Sequence, residues 1–183
     1  MKSLAAVGAN AVSTEDPEVV RRAEKIILPG VGHFAATKFL EERGLKQAIA
    51  ERVGAGTPFL GICVGLQWLF SGSTEAPDCA GLGTFKAFCE RFAEGKKIPH
   101  VGWNSLEVRE GSRLLAGVST GSFVYFTHSY RAPVVDETVA VTNYGEDFTA
   151  AAEKDNIMGV QFHPEKSGAT GPRILHNFVE LPC

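Results

Sequence analysis

Residues 58–67 read Pro58-Phe59-Leu60-Gly61-Ile62-Cys63-Val64-Gly65-Leu66-Gln67. An apolar run of strand type enters a Gly-x-Cys-x-Gly turn. It leaves into a helix, residues 66–70, that Gly72 ends. A strand that turns at once into a helix is the building unit of an α/β fold. A nucleophile sits at such a turn when its side chain must stand clear at the carboxyl edge of the sheet. The glycines two residues before and after Cys63 leave room for a strained backbone and for close strand–helix packing. The sulfur then lies at a helix N-terminus, where the dipole favours the thiolate. The N–H of Val64 is left to face an oxyanion. A lone cysteine without such flanks is more often a small buried hydrophobe. The strand before Cys63 and the helix after it make it the candidate nucleophile.

Outward from this turn, helix and strand alternate. The N-terminal side reads as a helix over 2–9 capped by Gly8 and a short strand over 10–13. A helix follows over 17–22, opened by Asp16-Pro17, then a buried strand over 25–28. Residues 33–54 carry helical spacing broken near Gly44, and 57–62 is the strand that enters the cysteine turn. That alternation predicts a parallel sheet covered on both faces. The C-terminal side is strand-rich, with runs at 84–89, 104–108, 122–126, 137–142, 147–152 and 156–161, and a last helix over 170–180. No linker or repeat divides the chain, so one domain over 1–183 is expected.

The composition excludes several classes. The 183 residues carry 18 basic and 21 acidic side chains, a formal net charge of −3, with no basic stripe of the kind a nucleic-acid binder shows. No apolar run approaches the ~18–20 residues of a membrane span, and the start lacks the form of a signal peptide. Cys63, Cys79, Cys89 and Cys183 have neither disulfide-framework nor zinc spacing, so the cytoplasm is the expected compartment, with no metal and no cofactor.

A cysteine hydrolase needs a base and a group to orient it. Of five histidines, His163 stands out in Gly159-Val-Gln-Phe-His163-Pro-Glu165-Lys-Ser-Gly168. It follows a buried strand, Pro164 stiffens the chain, and Glu165 falls on the same side two residues on if the segment is extended. His128 lies within an aromatic strand, His100 precedes a Val-Gly-Trp turn, His33 stands near a helix start, and His176 lies in the last helix. Leu28-Pro29-Gly30-Val31-Gly32 ends a strand and leads to a helix. Its glycines can turn an amide toward a pocket, which with Val64 makes two oxyanion donors. It is too short for a dinucleotide fingerprint and lacks the lysine of a phosphate loop.

These residues carry a resemblance. Pro-Gly-Val-Gly, Gly-Ile-Cys63-Val-Gly-Leu-Gln67 and Val-Gln-Phe-His163-Pro-Glu165 resemble class I, triad-type glutamine amidotransferases. Ile98-Pro-His-Val-Gly-Trp103-Asn104, Tyr125-Phe-Thr-His-Ser129-Tyr130 and His163-Pro-Glu-Lys166-Ser-Gly168 look like the glutaminase subunits of imidazole glycerol phosphate synthases. The resemblance implies a flavodoxin-like three-layer α/β domain with a mainly parallel sheet. It implies that Cys63 attacks glutamine, that His163 moves the proton, and that Glu165 orients His163. Gly30, Val31, Gly32 and Val64 would hold the oxyanion. Gln67, Ser129 and Tyr130 would hold the substrate, with Glu75 at its α-amino group. Trp103, Asn104 and Lys166 would face a (β/α)8-barrel cyclase that receives the ammonia for histidine biosynthesis.

The sequence departs from the family at its start. The family's apolar first strand and glycine-containing loop, ahead of the helix ending near Ala9, are absent. Loss of a strand from inside the sheet is expected to leave unpaired backbone groups and an apolar groove. A non-catalytic binding fragment is therefore an alternative reading. So is another triad amidotransferase or a γ-glutamyl hydrolase, which the Gly-Trp-Asn, Thr-His-Ser-Tyr and Glu-Lys-Ser-Gly segments argue against.

Overall fold

The structure, a computed structural model, describes residues 1–93 and 95–182, so Cys183 lies outside the described residues. Its centre is the run that ends in the cysteine. Strand β2 (Phe59–Cys63) is buried at every position. It pairs in parallel with β1 (Ile26–Gly30) on one side and β11 (Ile157–Val160) on the other. A strand that is apolar throughout needs both faces covered, and here they are. The sheet continues through β10 (Asp147–Lys154), β9 (Thr138–Asn143) and β6 (Glu107–Val108), all antiparallel. The expected parallel character thus covers β1, β2 and β11, and the six-stranded sheet is mixed. The reason is local: β9, β10 and β11 follow one another through tight turns, and a tight turn can only reverse a strand.

Two small sheets stand beside this one. Strands β3 (Phe70–Ser73), β4 (Phe85–Arg91) and β8 (Tyr130–Arg131) form one; β5 (His100–Ser105) and β7 (Phe123–His128) form the other. The helices are α1 (Lys2–Ala6), α2 (Pro17–Arg21), α3 (Lys38–Glu42), α4 (Leu45–Gly54), α5 (Val64–Leu69) and α6 (Thr170–Val179). Asp16 caps α2, its Oδ1 accepting from Glu18 N at 2.9 Å, with Pro17 in the first turn as expected. Gly44, at φ 70°, breaks the 33–54 segment into α3 and α4. The core is contiguous, with Phe59, Leu66, Trp68, Phe70, Phe126 and Phe162 among its buried side chains.

Three expectations are corrected. Residues 10–13 form no strand, and Val12 is 73% exposed. A strand needs a neighbour to take its backbone bonds, and no described strand lies alongside this segment. On that side β1 is an edge, with Ile27 and Leu28 only half-buried. Phe70, read as the last residue of the helix over 66–70, instead opens a strand, Phe70–Ser73, laid against β4. Val101-Gly-Trp103, read as a turn, pairs residue by residue with β7.

Helix α5 packs against β2 so closely that two positions exclude a Cβ. At Gly65 it would lie 2.1 Å from Leu28 O, and at Gly61 2.3 Å from Gly65 O. Both obstacles are backbone, which cannot step aside. Gly65→Ala is expected to destabilise the fold by about 1–3 kcal/mol or more, the range for a methyl forced into a packed site. Denaturant melts of the two proteins measure it.

Candidate active site

Cys63 joins β2 to α5 with φ 55° and ψ −109°, a region that a side-chain-bearing residue rarely enters. Such a conformation costs on the order of 1–3 kcal/mol and persists only where the surroundings over-determine it. The Gly61 and Gly65 contacts supply that constraint. Val64 is the first residue of α5, so its N–H has no acceptor within the helix. The Gly30–Gly32 loop lies directly against it: a Cβ on Gly30 would meet the Val64 Cβ at 2.7 Å. Gly32 has φ 93°, the left-handed turn that its type permits.

The imidazole comes from the opposite side. His163 N donates to Tyr125 O at 2.9 Å. Ser167 Oγ donates to His163 O at 2.6 Å and accepts from Tyr125 N at 3.0 Å. The short turn Pro164–Lys166 is also held from behind, since a Cβ on Gly171 of α6 would lie 1.8 Å from Pro164 O. Ser167 is therefore a part of the site that motif reading did not single out, although it was quoted within the motif. His163 Nδ1 and Glu165 Oε1 are 2.8 Å apart, so Nδ1–H donates to the carboxylate. Nε2 is buried and makes no hydrogen bond of good geometry. The Cys63 thiol is nonetheless near enough to be the largest influence on this ring. With the Glu165 carboxylate it raises the imidazole to about 9, against the burial that opposes its charge. Burial works against Glu165 ionising, yet the bond from His163 holds its carboxyl below the ordinary value.

Between these groups lies a cavity of about 280 Å³. Of the predicted residues, Val31, Gly32, Cys63, Val64, Gln67, Glu75, Ser129, Tyr130 and His163 line it; Pro99, Thr127 and His128 are additions. Gln67 Nε2 donates to Tyr130 O at 2.9 Å and to Gln161 Oε1 at 3.1 Å. Glu75 Oε2 accepts from Phe34 N at 2.7 Å, so part of this carboxylate holds the turn after the glycine loop. His33 caps that turn through Nδ1, which accepts from Ala35 N.

His128, which lines the cavity, and His100 form a buried pair. Burial pushes His128 down to about 3 and His100 down to about 4, so both are neutral near pH 7. Their tautomers follow from their neighbours. Tyr130 O can only accept, so His128 Nδ1 carries a proton toward it at 2.8 Å. His128 Nε2 then accepts from His100 Nδ1 at 3.2 Å.

The three expected partner-facing residues are not all together. Trp103 is 53% exposed, and its ring meets Tyr125 at 6.1 Å, with Lys166 Nζ 5.7 Å over the same Tyr125 ring. Asn104 falls on the other face of β5, where its Nδ2 donates to Asn143 O at 3.0 Å. Among the described residues no cluster suits a metal ion, and no helix is long and apolar enough to cross a membrane.

A cysteine in a strained strand–helix turn, facing an imidazole that a carboxylate orients, defines the class of a triad cysteine hydrolase on an α/β sheet. The chain belongs to the class I glutamine amidotransferase family, whose model matches residues 6–181. It is 47% identical over 176 residues to the imidazole glycerol phosphate synthase subunit HisH of Methanothermobacter thermautotrophicus, covering 96% of this chain and 88% of that one. It is 43% identical over 177 residues to the HisH subunit of Yersinia pseudotuberculosis, covering 96% and 89%. A solved structure described as a glutamine amidotransferase shares the fold at 22% identity, with a TM-score of 0.77 over 98% of this chain and 89% of that one.

The charges carry a pH signature. His163 is raised above its unfolded value, so its contribution to stability is fully present below about 6.5 and lost as pH rises through about 9. The neutral pair acts oppositely: its contribution is present above about 6.5 and lost as pH falls toward about 4 and 3. Glu165→Gln removes a group that raises His163, so the pH at which the imidazole loses its proton is expected to fall. An NMR titration of the His163 ring in both proteins measures it. His128→Gln is expected to flatten the loss of melting temperature between pH 6.5 and 4.

Proposed function

We propose that this chain is a glutaminase subunit that hydrolyses glutamine to glutamate and ammonia, and delivers the ammonia to the cyclase subunit of an imidazole glycerol phosphate synthase. The observation that carries the reading is the meeting of Cys63 and His163 at a cavity of about 280 Å³, from two elements 100 residues apart in sequence. Identities of 43–47% to HisH subunits over nearly the whole chain support the particular pathway.

In this reading the Cys63 sulfur attacks the side-chain carbonyl carbon of glutamine, and the C=O electron pair moves onto oxygen. Val64 N–H and an amide of the Gly30–Gly32 loop hold that oxyanion; one well-placed donor is worth roughly 3–4 kcal/mol. The intermediate collapses as the C–N bond breaks, and His163 gives its proton to the departing nitrogen. His163 then takes a proton from water, which attacks the thioester and releases glutamate. Its pKa of about 9 suits the first half, because the imidazolium is present when the leaving group needs a proton. Tyr130, Ser129 and Gln67 surround the substrate, and the remaining lone pairs of Glu75 serve its α-amino group.

Ammonia is a nucleophile only while unprotonated, and bulk water near neutral pH would protonate it. A sealed passage into a second protein therefore suits this chemistry. The partner proposed is a (β/α)8-barrel cyclase seated on the outer face of β5 and β7. Val101, Trp103 and Phe123 are all more than half exposed on that face, beside Lys166. The free cysteines Cys63, Cys79 and Cys89 suit a reducing cytoplasm.

The test is glutamate release from the chain alone, with the cyclase, and with the cyclase and its nucleotide. Stimulation by the cyclase is expected, and its absence overturns the assignment. Cys63→Ala is expected to cut turnover by several orders of magnitude. Trp103→Ala is expected to raise the cyclase concentration needed for half-maximal stimulation by about tenfold, the usual scale for an interface tryptophan.

A further inference from the structure

Gln161 lies one residue beyond β11, has no solvent exposure, and occupies none of the triad positions. Its backbone N donates to Ala150 O at 2.8 Å, so the main chain here is tied to β10. Its side chain lies between Cys63 and Gln67, both of which line the cavity. Nε2 donates to Cys63 Sγ at 3.6 Å, and Oε1 accepts from Gln67 Nε2 at 3.1 Å. Gln67 uses its other N–H on Tyr130 O, which also takes the His128 Nδ1 proton. The direction of the Gln161 amide is therefore dictated. Gln67 presents N–H toward it, only an oxygen can accept that, and so an N–H is left for the sulfur.

We propose that Gln161 is a positioning residue for the nucleophile: it holds the Cys63 sulfur with an uncharged N–H donor and braces it, through Gln67, against the carbonyl of Tyr130. The inference rests on the glutaminase reading and deepens it. His163 cannot do this work alone, because its proton is the one that leaves with ammonia. While the imidazole is between protons, an uncharged donor still faces the sulfur. The same strut ties the sulfur to Tyr130, one of the residues proposed to hold the substrate, so the attacking atom and the bound glutamine share one frame.

Two substitutions separate this role from packing. Gln161→Glu keeps an oxygen for Gln67 but places a second oxygen where the N–H met the sulfur. Gln161→Met keeps a similar volume and removes both bonds. Each variant is made in the full chain, its melt recorded, and the iodoacetamide alkylation of Cys63 followed at pH 7 by mass spectrometry of the Cys63 peptide. Both folded variants are expected to alkylate about tenfold more slowly, the scale of one hydrogen bond to an anion. In complex with the cyclase, kcat is expected to fall by a similar factor. KM should stay near wild type in Gln161→Glu, which keeps the Gln67 bond. Wild-type alkylation rates in the folded variants, or a loss confined to melting temperature, would overturn the proposal. If Gln161→Glu fails to fold, Gln161→Met carries the same readout. A wild-type chain whose Cys63 alkylates readily but which releases no glutamate even with the cyclase and its nucleotide would instead remove the glutaminase reading.

Discussion

Two strands and a helix cross in this protein where no side chain fits. Gly61, Gly65 and the carbonyl of Leu28 lie so close that a single methyl on either glycine would overlap backbone. That crossing forces the chain to turn within one residue, and the residue is Cys63, held at a positive φ. The strain lifts the sulfur off the sheet edge and sets it between the glycine loop and His163. The sheet partners of β2 then determine what else reaches the sulfur. Strand β1 leads into the Gly30–Gly32 loop, and β11 leads through Gln161 to His163. The parallel pairing brings both exits to the same edge, which is why three distant segments converge there.

Histidines in two charge states are then separated by what they touch. His163 faces a sulfur and a carboxylate, and both favour its protonated form. His128 and His100 lie among Phe92, Phe126, Tyr144 and Phe148, where no anion among the described residues compensates for burial, and they stay neutral. A neutral His128 can act as a directed donor to Tyr130 O without adding charge beside the nucleophile. The site thus keeps one titrating imidazole beside Cys63 and an uncharged one beside the Tyr130 carbonyl.

Much of this was legible in residue order. The Gly-x-Cys-x-Gly turn, its strand and its helix, the His163–Glu165 pair, and the glycine loop can each be read as local patterns, because each depends on neighbours within a few residues. The misreadings were also local in form. Val101-Gly-Trp103 contains a glycine and reads as a turn, but β7 supplies a partner that residue order does not display. Residues 10–13 read as a strand from their composition, but pairing, not composition, makes a strand, and none is available to them. Phe70 closed a helix on paper and instead opens the strand Phe70–Ser73, because β4 lies alongside.

The sequence by itself singled out Cys63, His163 and Glu165 as the candidate triad, since short-range geometry links strand, turn and helix at Cys63 and spaces His163 from Glu165. Only the tertiary structure decided that Gln161 points an N–H at the sulfur, that Asn104 faces away from Trp103, and that Ser167 pins the His163 backbone to β7. Those facts depend on which strands are neighbours and which face each side chain takes. A hydrogen bond between residues 98 positions apart has no signature in either segment alone.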